Sequence, residues 1–151
     1  MSLYNFLKIR YNKAMKKAKR PETVTLNRRA RFDYNLGDEL TCGMSLSGPQ
    51  VRLIRDHHVQ LKGSFVTIRG GSLWLNNLTL GAETAPNIRL LATKKQIASL
   101  EKEKVAGSTI VPVKLLAGGR HIKLVIALGK GKKKYDKRET IKRRDIDRGR
   151  F

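Results

Sequence analysis

Apolar and polar residues alternate along several short stretches in the middle of the chain, the pattern of β-strands that bury one face. Two pairs of these stretches are separated only by Gly-Gly dipeptides, which favour the tight turns of β-hairpins. Strands are predicted at residues 27–46, 61–69, 72–80, 109–117 and 120–128. The pattern predicts a mainly β fold with flanking helices, built around a small β-barrel of the oligonucleotide-binding type.

Two helices are predicted between the strands. The Gly-Pro dipeptide at residues 48–49 opens a short helix that places Val51 and Ile54 on one face. A capping box of Thr93 and Gln96 opens a longer helix, whose apolar residues through Val105 are expected to face inward. Both helices are therefore expected to pack against the barrel.

The N-terminal stretch has a different pattern. Residues 3–18 place apolar side chains on one helical face and Lys or Arg on the other, and the pattern ends at Arg20 and Pro21. We therefore predict a basic amphipathic N-terminal helix. Three roles stay open for it: docking on the domain or on an RNA–protein surface, a weakly ordered leader, and a membrane-surface or organelle-targeting helix.

Charge dominates the C-terminal stretch, residues 129–151. It contains eleven Lys or Arg and four Asp or Glu, with Tyr135 among the cations. Such a segment is expected to be disordered alone and to become partly helical on a polyanion, since residues 136–148 contain no Pro or Gly. Cations around one stacking ring suit irregular RNA better than a membrane.

The whole chain is strongly basic, with a formal net charge of +21 on 151 residues. The excess is +9 over residues 1–31 and +7 over residues 129–151, against +5 over the much longer middle. A field of this strength attracts phosphate and makes binding sensitive to salt. Nucleic acid is therefore the expected partner.

Residues suited to catalysis or metal binding are few. Cys42 has no second cysteine to pair with, and His57, His58 and His121 lack the spacing of metal ligands. We expect no enzymatic activity, no metal and no cofactor. No apolar stretch approaches the ~20 residues of a membrane span. The protein is therefore expected to be cytoplasmic and to have no membrane partner.

The C-terminal stretch also contains a specific motif. Residues 135–145 read Tyr-Asp-Lys-Arg-Glu-Thr-Ile-Lys-Arg-Arg-Asp. This run resembles the (Tyr/His)-Asp-Lys-Arg-x-x-(Ile/Leu)-Lys-x-Arg-(Asp/Glu) signature of the SsrA-binding protein family (small protein B). Weaker matches to the same family occur at residues 27–34, 48–55, 61–66 and 90–97. The resemblance covers about residues 24–148.

The resemblance implies a function in the rescue of stalled ribosomes. Members of the family bind transfer-messenger RNA (SsrA RNA) through the barrel, which grips its tRNA-like domain. Their basic tail enters the vacant decoding site of the small subunit. The implied domains are an N-terminal extension at residues 1–23, an RNA-binding barrel at 24–128 and a basic tail at 129–151. The protein is expected to act on its RNA as a monomer.

The resemblance also implies two sets of contact residues. The barrel set, expected to form one RNA-facing surface, is Arg28, Gln50, Arg52, Arg55, Leu61, Lys62, Ser64, Leu91, Lys94 and Lys95. The tail set, expected to contact the ribosome, is Lys130, Lys132, Lys133, Lys134, Tyr135, Asp136, Lys137, Arg138, Lys142, Arg143 and Arg144. Two alternative functions stay open: a general RNA- or ribosome-binding barrel independent of transfer-messenger RNA, and a membrane-surface adaptor acting through the N-terminal helix.

Overall fold

The computed structural model describes residues 24–150, and the helix predicted at residues 3–18 lies outside them. The described chain forms ten strands and four helices. In chain order they are β1 (Val24–Leu26), α1 (Arg28–Asp33), β2 (Tyr34–Met44), α2 (Gly48–Arg55), β3 (Val59–Gln60), β4 (Phe65–Arg69), β5 (Ser72–Asn76), β6 (Thr79–Leu80), β7 (Glu83–Thr84), β8 (Ile88–Leu91), α3 (Lys94–Glu103), β9 (Ser108–Leu116), β10 (Lys123–Gly131) and α4 (Lys134–Asp147).

Six of the strands close into a barrel. Strands β9, β10, β2, β8, β5 and β4 are antiparallel neighbours in that order, and β4 returns to β9 at the pair Val66 and Ile110. Closure removes the free strand edges of an open sheet. Strand β1 adds to β9, and β3, β6 and β7 form a small separate sheet. The prediction of a mainly β barrel with flanking helices is confirmed.

Aliphatic side chains fill the barrel. Leu73, Ile110 and Leu124 are fully buried in one cluster, which Ile54 of α2 and Leu100 of α3 also join. Burying a side chain of this size stabilises the fold by about 1.5–3 kcal/mol. The two flanking helices are therefore attached by apolar packing, and Arg52, Lys94 and Lys95 on them remain exposed.

The first predicted strand, residues 27–46, is wrong at its start. Residues 28–33 form helix α1, and β2 begins only at Tyr34. The buried Asn27 explains the difference, because its side-chain oxygen accepts a hydrogen bond from the Ala30 N–H at 3.2 Å. This is an N-cap, which satisfies a donor that a helix start leaves free.

Two other predicted strands are shorter than expected. Strand β4 begins at Phe65 rather than at residue 61, because Ser64 turns back and donates to the Leu61 carbonyl from both its N–H and its hydroxyl. Strand β5 ends at Asn76, because Asn77 has a φ of +62° and leaves the extended conformation. After the predicted strand 72–80, residues 83 and 84 form the short β7.

Helix α3 starts as predicted and ends early. The capping box is present, since the Thr93 N–H donates to Gln96 Oε1 at 2.9 Å and the Gln96 N–H donates to the Thr93 hydroxyl at 3.3 Å. The helix ends at Glu103, however, and Val105 is 70% exposed. The prediction that Val105 faces inward is therefore wrong, because the chain leaves the helix before that residue completes the apolar face.

The C-terminal stretch is ordered differently from the expectation. Strand β10 continues to Gly131, pairing with β2 as far as Tyr34, so the barrel extends three residues beyond the expected boundary at Leu128. Residues 134–147 then form α4, and the expected disorder of the tail is not confirmed. The Lys133 N–H donates to Asp136 Oδ2 at 3.3 Å, which caps the start of this helix.

Candidate nucleic-acid interface

Helix α2 carries three residues of the predicted barrel set. The Ser47 N–H donates to Gln50 Oε1 at 2.9 Å, so the carbonyl end of that amide caps the helix. The half-buried Gln50 still has two amide N–H groups that this bond does not use, and both can donate to a base or a ribose. Arg52 is exposed and Arg55 is half-buried.

A pocket of about 310 Å³ lies where α2 meets the barrel. Its apolar floor and cationic rim come from four separate parts of the chain. The lining residues are Gly43, Met44, Leu46, Val51, Arg55, Leu91, Arg120, His121, Ile122 and Lys123. An apolar floor with cations at its edge can take the face of a base and the phosphate next to it.

Arg55 connects α2 to the loop between β9 and β10. Its Nη2 donates to the carbonyl oxygens of Gly119 and Arg120, at 3.5 and 3.4 Å. Within residues 24–150, its Nε is buried without a hydrogen-bond partner. Arg55 therefore has a structural role at the edge of the pocket, and its guanidinium retains a donor that the described residues do not satisfy.

Leu91, Lys94 and Lys95 lie close together in the chain, where β8 meets α3. Leu91 lines the pocket and is 55% exposed, although it is a large aliphatic residue. Lys94 and Lys95 are exposed in the first turn of α3, which contains no acidic residue. Cations at a helix N-terminus oppose the helix dipole, so they do not help this helix to form. A phosphate bound between the N–H groups and the lysines would remove that conflict.

The predicted residues Leu61, Lys62 and Ser64, in the turn before β4, lie outside the pocket lining. Leu61 and Ser64 are buried, and Lys62 is exposed. The Leu61 carbonyl accepts from Asn27 Nδ2 at 3.3 Å, which places this turn beside exposed Arg28 at the start of α1. The lining of the pocket includes no residue of this turn. Of the predicted barrel set, Arg55 and Leu91 thus line the pocket, whereas Arg28, Leu61 and Ser64 lie around Asn27.

Two cations outside the predicted barrel set, Arg120 and Lys123, also line the pocket. The sequence signal for them was the basic stretch at residues 120–123, directly after the Gly-Gly turn. The sequence could not show that this loop lies against α2. Closure of the barrel brings the loop and α2 together, and Arg55 then donates to the carbonyl oxygens of the loop.

Asp33, at the end of α1, is the main contact between the barrel and α4. Its Oδ2 lies 2.7 Å from Arg29 Nε, and its Oδ1 lies 3.0 Å from Lys137 Nζ. Its backbone carbonyl accepts from the Lys132 N–H at 2.8 Å. Burial alone would raise the pKa of Asp33, but the hydrogen bonds and positive charges of Lys137 and Arg29 outweigh it and hold the pKa below its usual value.

Helix α4, which we call the arm, carries the predicted tail residues from Lys134 onward, and Lys130, Lys132 and Lys133 precede it. None of its described residues is buried, and Tyr135 is 59% exposed, with Lys133 Nζ 6.0 Å from the centre of its ring. Lys132, Asp136 and Lys137 are half-buried at the base of the arm. The exposed cations of the tail set are Lys130, Lys133, Lys134, Arg138, Lys142, Arg143 and Arg144.

Residues 24–150 provide neither a metal site nor a membrane span. No group of three or more His, Cys, Asp or Glu in that range is arranged to hold a metal ion. No helix there is long and apolar enough to cross a membrane. Cys42 is buried, and burial raises the pKa of its thiol to about 11.

Comparison with known proteins identifies the family. The SmpB protein family model matches residues 24–150. An SsrA-binding protein of Enterococcus hirae is 42% identical over 135 residues, which is 83% of this chain and 88% of that protein. One of Streptococcus pneumoniae is 39% identical over 137 residues, covering 84% and 88%.

The fold leads to the same family. A solved chain described by the words "tmRNA-SmpB: a journey to the center of the bacterial ribosome" superposes with a TM-score of 0.59 at 30% identity. The match covers 78% of this chain and 94% of that one. The barrel, the cationic pocket and the arm are therefore features of a chain that belongs to the SmpB protein family.

Proposed function

We propose that this protein binds the tRNA-like domain of transfer-messenger RNA and delivers it to stalled ribosomes, as a binding factor and not as an enzyme. Its site of action would be the cytoplasm, with one copy per RNA. The relatives are SsrA-binding proteins, and the superposed chain comes from work on tmRNA, SmpB and the ribosome. These names support the partners, and the geometry supports a division of labour between the barrel and the arm.

The observation that carries the proposal is the arm. It is a 14-residue helix without a buried residue, and most of its cations are exposed. A helix of this length is marginal alone in water. A surrounding polyanion would stabilise it, as the RNA lining of a vacant decoding site would.

The barrel surface supports a second, separate RNA contact. The pocket between α2 and the β9–β10 loop combines an exposed leucine, Leu91, with three cations, and exposed Lys94 and Lys95 follow Leu91 closely in the chain. A structured RNA elbow offers unstacked bases and closely spaced phosphates, which fit such a surface. One chain could then hold transfer-messenger RNA with the barrel while the arm contacts the ribosome.

A binding experiment tests the barrel part. Full-length protein is titrated against transfer-messenger RNA and against bulk tRNA over a range of salt concentrations. The double variant Arg52→Gln, Lys94→Gln should bind transfer-messenger RNA more weakly, with a salt slope lower by about one for each phosphate that the variant no longer neutralises. The control variant Arg69→Gln, Lys102→Gln removes two exposed cations outside the predicted set. It should retain most of the affinity.

Two results would contradict the proposal. Equal affinity for transfer-messenger RNA and bulk tRNA would instead favour a general RNA-binding barrel. Equal losses in the two double variants would show that total charge, and not this surface, determines binding.

A further inference from the structure

Three aliphatic side chains lie exposed or half-buried on the outer face of the barrel, where the described chain begins. Val24 and Leu26 of β1 are 43% and 48% exposed, and Leu116 of β9 is half-buried. Val24 lies directly opposite Leu116, and residues paired in this way share one face of a sheet. Leu115, next along β9, points the other way and is fully buried in the barrel core. We call Val24, Leu26 and Leu116 the outer patch.

The size of the outer patch favours a segment of the same chain as its occupant. Stable contacts between separate proteins bury about 1,200–2,000 Å² in total, far more than three aliphatic side chains provide. A segment joined to the patch by a short connection needs less contact area, because the connection holds it at a high effective concentration. The chain that leads into Val24 is such a segment.

This leading chain contains the helix predicted at residues 3–18, which has a matching apolar stripe. Five apolar residues recur at intervals of three or four positions and therefore fall on one side of a helix. They are Leu3, Leu7, Tyr11, Ala14 and Ala18. Lys13 and Lys16 fall on the opposite side. Packing the stripe on the outer patch would remove the apolar surface of both from water, which stabilises the contact.

The connection is short enough to keep such a helix beside the barrel. Residues 19–23 separate the predicted helix from Val24. Five extended residues span at most about 18 Å, whereas a helix of this length is about 24 Å long. Pro21, within the connection, ends the helical pattern. The helix is therefore confined to the neighbourhood of β1, where it can fold back over the outer patch.

The outer patch lies in the same row of the barrel as the cationic pocket. Val24 is paired with Leu116, and Leu116 is paired with Lys123 of β10. Lys123 is paired with Gly43 of β2, which is paired with Leu91 of β8. The last three residues all line the pocket. Neighbouring strands are about 4.8 Å apart, so a helix on the patch, about 10–12 Å wide with its side chains, would lie along the edge of the pocket.

We propose that residues 3–18 form a helix that packs its apolar stripe on the outer patch and adds its cations to the rim of the pocket. Lys13 and Lys16 then face outward beside the pocket, where they can neutralise further phosphates of an RNA held there. Only this second step rests on the proposed function, because the packing needs no RNA. The barrel thereby holds its RNA over a wider surface than residues 24–150 provide.

Amide hydrogen exchange tests the packing without RNA. A helix of this length is marginal alone in water, so slow exchange at residues 7–18 of the full-length protein requires a packed helix. We expect slow exchange in the unchanged protein. We expect fast exchange in two double variants, Leu7→Gln, Tyr11→Gln on the stripe and Val24→Gln, Leu26→Gln on the outer patch. Glutamine is a good helix former, so fast exchange in the stripe variant would not come from a lower helix propensity.

The matched control is Lys13→Gln, Lys16→Gln, which changes two residues on the opposite side of the same helix and should keep slow exchange. Amides of β10, measured in the same samples, report whether the barrel is folded. The stripe variant leaves the barrel sequence unchanged and so tests the packing by itself. Fast exchange at residues 7–18 in the unchanged protein, or slow exchange that survives in the stripe variant, would overturn the packing.

Binding over a range of salt concentrations tests the second step. The stripe variant retains every cation, yet it should bind transfer-messenger RNA more weakly than the unchanged protein, because its helix leaves the rim. Lys13→Gln, Lys16→Gln should lower the salt slope by up to about two. Equal affinity of the stripe variant and the unchanged protein would refute the role of the helix at the rim.

The two experiments also separate this inference from the proposed function. Slow exchange that depends on the outer patch, in a protein that does not prefer transfer-messenger RNA over bulk tRNA, would confirm the packing and refute the proposed function. A preference for transfer-messenger RNA in a protein whose residues 7–18 exchange fast would do the reverse.

Discussion

Asn27 Nδ2 donates a hydrogen bond of 2.8 Å to the carbonyl oxygen of Pro112, which lies 85 positions later in the chain. The same nitrogen donates to Leu61, while the side-chain oxygen caps α1. One buried amide thus connects α1, the turn before β4 and strand β9. All of these partners are backbone groups, so the role of Asn27 depends on an amide that both donates and accepts at this position.

Replacing Asn27 should therefore destabilise the whole domain. Asn27→Ala removes the side-chain donor to the Pro112 carbonyl and the cap of α1, whereas the Leu61 carbonyl still accepts from Ser64. A buried polar group that loses its partner costs about 1–3 kcal/mol. Denaturant unfolding should show a lower free energy of unfolding, whereas Asn87→Ala, at an exposed asparagine, should change little. Equal stability of the two variants would mean that the Asn27 network is not important for the fold.

The side chain of Tyr34 explains why position 129 of strand β10 requires glycine. A Cβ at Gly129 would lie 2.9 Å from Tyr34 Cβ and 3.1 Å from its Cγ, whereas one at Gly131 would meet no atom within 4 Å. We expect Gly129→Ala to cost about 1–3 kcal/mol through overpacking. Gly131→Ala, two residues later in the same strand, should be nearly neutral. Thermal unfolding of both proteins provides the comparison.

Truncation should separate the two proposed RNA contacts. Because β10 runs to Gly131, the deletion must begin at Lys132 to leave the barrel strand whole. A protein lacking residues 132–151 should bind transfer-messenger RNA with nearly full affinity and should fail in rescue. Measurements of binding and of peptide tagging with the same preparation would check this. Tagging at the normal rate would reduce the arm to an electrostatic aid.

The ion pair between Asp33 and Lys137 should be lost at low pH. The pKa of Asp33 is lowered in the folded protein, so the ion pair contributes fully above the usual aspartate pKa and is broken only as pH falls through the lower, folded value. Neutral and mildly acidic solutions should therefore leave this ion pair intact. Carbon NMR of the Asp33 carboxyl group would follow this titration. Lys137→Met should raise the pKa toward the ordinary value, and no change would remove Lys137 as a cause.

Cys42 should be chemically inert in the folded protein. It is 1% exposed, and burial raises the pKa of its thiol to about 11, so the reactive thiolate is scarce at neutral pH. Iodoacetamide should modify it slowly in native protein and rapidly in denaturant, as followed by mass spectrometry. Comparable rates in the two conditions would show that the strand around Cys42 opens readily.

Local features of the chain follow from its amino-acid pattern. Alternation of apolar residues with Gly-Gly turns predicted the two hairpins, and Thr93 with Gln96 predicted the start of α3. The charge of residues 129–151 predicted a segment outside the core, and the absence of Pro and Gly predicted where it could be helical. These features depend on neighbours within a few residues, which a sequence pattern records directly.

Contacts between distant residues, in contrast, depend on how the chain folds. Nothing local shows that Asn27 caps a helix and reaches Pro112, that Arg55 contacts the loop at Arg120, or that Asp33 pairs with Lys137. Each of these pairs depends on the register and closure of the barrel, which bring together segments far apart in the chain. The burial of apolar side chains determines that closure, and the polar contacts form where it places their partners.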